Sequence, residues 1–331
     1  MTRYGVTLQG VYDPPEFVEL VRWIEELGYD DLWLTDSSLH AGDCYVYATI
    51  ALMSTSRLRI GTAVTNPLTR HPAITANAVA SLSDVAPGRV VCGIGVGDRP
   101  LGEIGLGMAS IATLRETIEA LRSLWRGDLL EQLEVGPWSF TGGHLRSAVD
   151  EIPVYIAASR PRALELTGEV ADGLILLAGL FPEGLAFARD HLARGRARSD
   201  RPEFNETLFL YGAVNDDGEQ ALESARSIAA WFPHTAPDYA LLAGMDEELI
   251  AAVNAAYAGG EFQHAGAAAR LIPDELVRKI AFCGTPRQVA EKLNWLGSEG
   301  IGGLSVFPLG ADRRATIAHF ARLVGLEGQR P

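Results

Sequence analysis

Two aspartates stand where a carboxylate could handle a proton: Asp36 in WLTDSSLH and Asp98 in VVCGIGVGDRPLGEIGLG. Each follows a short β-type run. A carboxylate there can accept a hydrogen bond from a heterocyclic N–H or exchange a proton with a reacting atom. The plainer reading of Asp36 is a helix N-cap or an Asx turn. In GTAVTNPLTRHP, Gly61 to Pro72, small residues on either side of Val64 suit a backbone pressed against a planar ligand, and Asn66-Pro67 breaks the strand. The plainer reading is a strand, a turn and a helix begun by Pro72. Gly93, Gly95 and Gly97 alternate with apolar residues ahead of Asp98. A dinucleotide fingerprint would follow a first strand and open a helix at once, whereas more loop is expected here. What is left is a glycine-lined floor for a ring system, or glycines that ease strand packing. In AASRPRALELTGEVADG, Ala157 to Gly173, small residues and Ser159 lead into a helix started by Pro161. Free N–H groups and the macrodipole make that a phosphate site, with Arg160 and Arg162 adding charge; solvent-facing arginines on a capped helix are the alternative. Ala178 and Gly179, after the next strand, could form a second wall.

Chemistry at strand ends requires strands, and short β-type runs do alternate with stretches of helical period. Tyr4 to Gln9, Leu32 to Thr35, Leu58 to Val64, Val90 to Ile94, Val154 to Ala157, Leu174 to Leu177, Leu208 to Val214 and Leu304 to Phe307 are eight strand candidates. Helices are expected from Pro14 to Leu27, between Asp13 as cap and Gly28 as stop, and near 44–55, 72–85, 112–126, 161–171, 183–197, 285–299 and 311–324. Eight such repeats predict a (β/α)8 TIM barrel, with an open doubly wound sheet as the alternative. The 331 residues exceed the roughly 250 typical of a barrel, so insertions are expected. They fall at about 129–152, where GPWSFTGGHL looks like a hairpin, and at 216–282, an Ala-rich helical stretch ending in an irregular piece. No composition shift marks a linker, and residues 1–331 read as one domain.

Composition narrows the function. A net charge of −14 argues against a nucleic-acid partner. The apolar runs are well short of the roughly 18 residues a membrane span needs. MTRYGVTLQG reads as a strand and not a secretory leader, so a cytoplasmic protein is expected. Cys44, Cys92 and Cys283 are too scattered for a disulfide framework and read as reduced core residues. The seven histidines show no HExxH spacing, so no metal is expected, and no GxSxG signals a nucleophile; His71 reads as a helix start. Of 28 basic residues only Lys279 and Lys292 are lysine, so a phosphate must be held by Arg, hydroxyls or backbone N–H groups.

In order and spacing, GTAVTNPLTRHP, GIGVGD, AASRPRALELTGEVADG and FCGTPRQVAEKLNWLGSEGIGGLSVFPLG resemble the luciferase-like flavin and F420 oxidoreductase superfamily, most closely the branch with methylenetetrahydromethanopterin reductase. The likeness covers nearly the whole chain. It implies a barrel with a cofactor across the strand ends, coenzyme F420 with FMN as the alternative, and a non-prolyl cis peptide at Ala63-Val64. It implies cofactor contacts at Thr7, Asp36, Ala63, Val64, Thr65, Asn66, Gly95, Val96, Gly97 and Asp98, and a phosphate region at Ala157, Ala158, Ser159, Arg160, Ala178 and Gly179. Asp36 and Asp98 become the candidate catalytic residues. Gln9, His40, Trp231 and Phe232 are expected to touch substrate, with Tyr239 in the same insertion. Two departures stand out: Ser37 follows Asp36 where many F420 enzymes place His, and Thr7 falls where the pterin enzyme carries a carboxylate. Relatives that oxidise glucose 6-phosphate hold its phosphate with lysines, and this chain has none before Lys279. The expected activity is hydride transfer from reduced deazaflavin to an activated C=C or C=N bond of a small-molecule, natural-product or modified-peptide substrate. The alternatives are an FMN-dependent monooxygenase, a methylenetetrahydromethanopterin reductase and a non-catalytic flavin-binding barrel. Relatives of this kind are commonly homodimers.

Overall fold

The computed structural model describes residues 2–37, 39–257 and 265–326. Part of the expected 216–282 insertion, residues 258–264, lies outside the described residues. Among the described residues, eleven strands run in chain order: β1 (Arg3–Leu8), β2 (Asp31–Leu34), β3 (Arg59–Thr62), β4 (Val90–Ile94), β5 (Leu133–Val135), β6 (Trp138–Phe140), β7 (Val154–Ala157), β8 (Gly173–Leu176), β9 (Asn205–Val214), β10 (Phe282–Gly284) and β11 (Gly303–Pro308). Eight of them close a parallel barrel in the order β1-β2-β3-β4-β7-β8-β9-β11, with β11 returning to β1. This is the (β/α)8 TIM barrel expected from the alternation. The open doubly wound sheet is excluded by the closing β8–β9 and β11–β1 pairings.

Local chemistry starts the helices where the pattern places them. Prolines occupy the first turn of Pro14–Glu26, Pro72–Val85, Pro161–Val170, Pro182–Arg196 and Pro286–Ser298, where a missing N–H costs nothing. His71 caps its helix, Nδ1 accepting from Ala73 N at 3.1 Å. Thr285 and Gln288 form a capping box. The apolar faces of these helices bury against the outer barrel surface in one large cluster. A second, small cluster of Trp33, Val91, Tyr155 and Ile175 fills the barrel interior. Trp33 lies over Gly61, where a Cβ would come within 2.5 Å of its ring. At the amino-terminal floor of the barrel, Asp31 sits between Arg3 and Arg59, accepting from Arg3 Nε at 3.0 Å and from Arg59 Nε at 2.9 Å.

Three features differ from the sequence reading. Strand pairing after Arg59 ends at Thr62, short of the expected Val64; beyond it the chain runs through a cis Ala63–Val64 peptide, as the resemblance implied, to an isolated bridge between Thr65 and Ile94. A five-residue helix, Arg99–Glu103, stands in the stretch expected to be loop after Asp98. The 216–282 stretch holds helices Gly218–Thr235, Pro237–Ala243, Glu247–Ala256, Gly266–Ala269 and Asp274–Ile280, then β10, a ninth strand on the main sheet. The hairpin expected at 129–152 is β5 paired antiparallel with β6. It braces the mouth: Trp138 Nε1 donates to Pro67 O at 2.8 Å, and the His71 ring packs on Phe140 at 4.7 Å. No helix among the described residues is long and apolar enough to cross a membrane.

Candidate active site

A cavity of about 910 Å³ opens at the carboxyl ends of the barrel strands, the face on which barrel enzymes carry their chemistry. Asp36 lines it two residues past β2. Its Oδ2 accepts from Thr65 Oγ1 at 2.9 Å, and the Tyr45 hydroxyl donates to Thr65 Oγ1 at 3.3 Å. Burial pushes Asp36 above the ordinary carboxylate range. The bond from Thr65 and the charge of Arg70 oppose the shift, Asp43 adds to it, and a bond from Cys44 lowers it slightly. Arg70 is held aside by pairing with Asp43 and lies 4.5 Å over the Tyr45 ring. A carboxyl group that retains its proton to higher pH at a cavity wall is one that can deliver it. Asp98 also lines the cavity, but it is exposed at the rim and its side chain caps no helix.

The glycine run divides into packing and site. At Gly93 a Cβ would fall 1.8 Å from Thr62 O, so this glycine lets β3 and β4 approach, in line with the plainer reading. Gly95, Val96 and Gly97 line the cavity together with Ala63 and Val64. Gly97 has φ +86, a conformation that disfavours any side chain. Asn66 lines the same wall; its Oδ1 is used in the loop, accepting from Leu68 N at 2.9 Å and Thr69 N at 3.0 Å.

Ala157, Ala158, Ser159, Arg160 and Arg162 form one end of the cavity. Ser159 Oγ donates to Leu177 O at 3.0 Å and caps nothing, and no side chain caps the Pro161–Val170 helix. Its first backbone N–H groups are therefore available to an anion.

Several expected contacts are displaced, and the reasons are geometric. Thr7 is fully buried inside the barrel, bonded to Ser305 at 2.8 Å. Thr65 is also fully buried and meets the site only through Asp36. Ala178 is buried and Gly179 packs on Phe181; Leu177, nearer the strand end, faces the cavity in their place. His40 pairs with Glu103 outside the cavity lining. Phe232 is 0% exposed and packs toward Tyr239 at 6.5 Å, because one residue along a helix rotates the side chain by about 100°. Its neighbour Trp231 does line the cavity, as does Gln9.

The sequence reading missed an aromatic wall. Phe209 and Tyr211 from β9 and Phe307 from β11 join Trp231 there, with ring centroids 5.0 Å apart for Phe209–Tyr211, 5.4 Å for Tyr211–Phe307 and 5.9 Å for Tyr211–Trp231. The signal was present in LFLYG: alternate residues of a strand share a face, so 209 and 211 must point together. Also unanticipated are Thr35 and Thr235, which line this cavity while their hydroxyl oxygens are buried behind its surface, without a hydrogen-bond partner among the described residues. A buried hydroxyl without a partner costs stability unless a ligand meets it.

The family model for luciferase-like monooxygenases matches residues 2–301. The 5,10-methylenetetrahydromethanopterin reductase of Archaeoglobus fulgidus is 30% identical over 319 residues, 93% of this chain and 92% of that protein. The F420-dependent glucose-6-phosphate dehydrogenase of Nakamurella multipartita is 29% identical over 246 residues, 66% of this chain and 69% of that one. Among solved structures, the coenzyme F420-dependent tetrahydromethanopterin reductase of Methanopyrus kandleri superposes with a TM-score of 0.84 at 24% identity, covering 97% of each chain.

Proposed function

We propose a substrate class and a proton path for this chain, which belongs to the luciferase-like monooxygenase family and is an F420-dependent oxidoreductase. Hydride passes between reduced deazaflavin and an activated C=C or C=N bond of an apolar small-molecule, natural-product or modified-peptide substrate. The observation that carries this reading is a single cavity with a backbone wall on one side, aromatic rings on the other and a proton-retaining carboxyl group between.

The residues present fit the cofactor. The Val64, Gly95 and Gly97 wall takes a flat ring system, and the uncapped helix at Pro161 with Arg160 and Arg162 takes a phosphate. Reduced F420 supplies the hydride when bound. The protein binds and orients: the Gly95–Gly97 side fixes one face, and the Phe209, Tyr211, Trp231 and Phe307 wall holds the acceptor and excludes water. Asp36 delivers the proton to the atom left negative, with Thr65 fixing the carboxyl plane.

The identity to the pterin reductase favours a second reading, turnover of the methylene carrier. The residue on β1 that could bring a carboxylate to it is here a threonine bonded to Ser305. Conversion of methylenetetrahydromethanopterin by the purified protein would decide for that reading.

Titration with F420 and with FMN under identical conditions tests the cofactor. Saturable F420 binding with weak or absent FMN binding is expected; FMN binding without F420 binding would overturn the assignment. Gly95→Val sharpens the test. A Cβ there already meets Val64 Cγ2 at 3.0 Å, and the extra methyl groups would occupy the ring's place. Overpacking of about 1–3 kcal/mol, felt where the ring would lie, predicts F420 binding weaker by about 10- to 100-fold, together with a lower melting temperature of the unliganded protein.

A further inference from the structure

Outside the barrel mouth, a groove of about 380 Å³ lies between helix Asp274–Ile280, strand β10 and helix Pro286–Ser298. Gln288, Glu291, Lys292 and Trp295 fall at i, i+3, i+4 and i+7, so one helix face supplies them all. Arg278 and Cys283 complete the lining.

Among the described residues, two cations meet in this groove without a counter-charge. Arg278 Nη1 is buried and has no hydrogen-bond partner there. Lys292 Nζ reaches only the Ala281 carbonyl, at 3.3 Å. Burial lowers Lys292 to about 8; Cys283 works against that shift and Arg278 adds to it. The nearby carboxylate Asp274 is taken by Arg226, which also pairs with Glu223. Glu291 is exposed at the rim and forms no ion pair with either cation. Gln288 spends its Oε1 on the capping box, accepting from Thr285 N at 2.8 Å, which leaves its NH2 as a donor. Half-buried cations next to each other are costly unless an anion joins them. The chain has just two lysines, and one of them is placed here.

We propose that this groove is a second ligand site, separate from the active-site cavity, which takes a small oxyanion or the phosphoryl group of a larger ligand between Arg278 and Lys292. The guanidinium offers paired N–H donors that match the oxygens of such a group, the ammonium adds a point charge, and the Trp295 ring gives an apolar wall for whatever the group is attached to.

Calorimetric titration of the full-length protein with inorganic phosphate and with phenyl phosphate tests it. Because the uncapped helix at Pro161 also attracts anions, Arg278→Met and Lys292→Met are titrated beside wild type and beside Arg162→Met. Saturable phosphate binding is expected in wild type and in Arg162→Met, weaker by about tenfold or more in Arg278→Met and in Lys292→Met, as loss of a charge-assisted bond implies. Glu291→Gln should tighten it. Tighter binding of phenyl phosphate would identify the phosphoryl group of a larger ligand as the occupant; equal binding would identify the free oxyanion. No saturable binding, or binding lost in Arg162→Met and kept in Lys292→Met, overturns the proposal. If Arg278→Met does not fold, Lys292→Met on the outer helix face decides the same question.

Discussion

Asp36→Asn is expected to lower kcat by about 100-fold or more, the usual contribution of a positioned acid or base, while F420 still binds. The same substitution should change stability in the opposite direction. Burial raises the Asp36 pKa, so the folded state holds that proton more tightly than the unfolded chain does. The stability this gives is fully present below the ordinary carboxylate range and is lost as pH rises through the raised value. Asparagine keeps the bond from Thr65 and cannot ionise. Melting temperatures of wild type and variant should therefore diverge in favour of the variant as pH rises from 4 toward 8. Unchanged kcat would remove Asp36 from the proton path, and parallel melting curves would show that its environment does not penalise the charge.

Asp31→Ala should cost about 3 kcal/mol of stability, the lower end of what breaking a buried pair costs, because one of its two partners is partly solvated. Asp31 is 3% exposed and bridges Arg3 and Arg59 at the first residues of three neighbouring strands. Burial alone would lower Arg59; Asp31 beside it, with Tyr155, raises it above the usual range instead. Removing the carboxylate leaves the Arg59 guanidinium beneath the Tyr155 ring, 5.5 Å from its centroid, with no opposite charge. Urea denaturation should show the loss as a lower midpoint with the slope unchanged. Arg3→Met, at the more exposed partner, should cost about 1 kcal/mol or less. Equal costs for the two variants would contradict this division.

How much of the molecule is legible in its sequence depends on period. The eight barrel strands announce themselves because buried parallel strands are short apolar runs bounded by Gly, Pro and charge. Asp36, Asn66, Gly95 and Ser159 are legible as site residues because a barrel's mouth is where its strands end, and strand ends are sequence features. Errors come one residue at a time. Ala178 and Gly179 lie just past the cavity and Leu177 lies on it; Phe232 turns into the core and Trp231 out of it. Which face a residue takes is set by tertiary contacts that no local pattern reports. Strand β10 escapes notice for the same reason: three residues, FCG, carry no periodicity, and they pair only because Gly212 to Val214 of β9 extend beyond β8.

That short strand has a consequence for how such enzymes diversify. The segment bearing Trp231, His234 and Thr235 leaves from β9 and returns through β10, and Phe282 lies in register with Gly212. Both ends are therefore fastened to one sheet in neighbouring parallel strands, so the distance it must span does not depend on its length or content. Residues 216–281 can be treated as a replaceable cassette. Transplanting the corresponding block from another barrel of this kind, joined at those two points, should exchange acceptor preference while the wall formed by Val64, Gly95 and Gly97 stays in place.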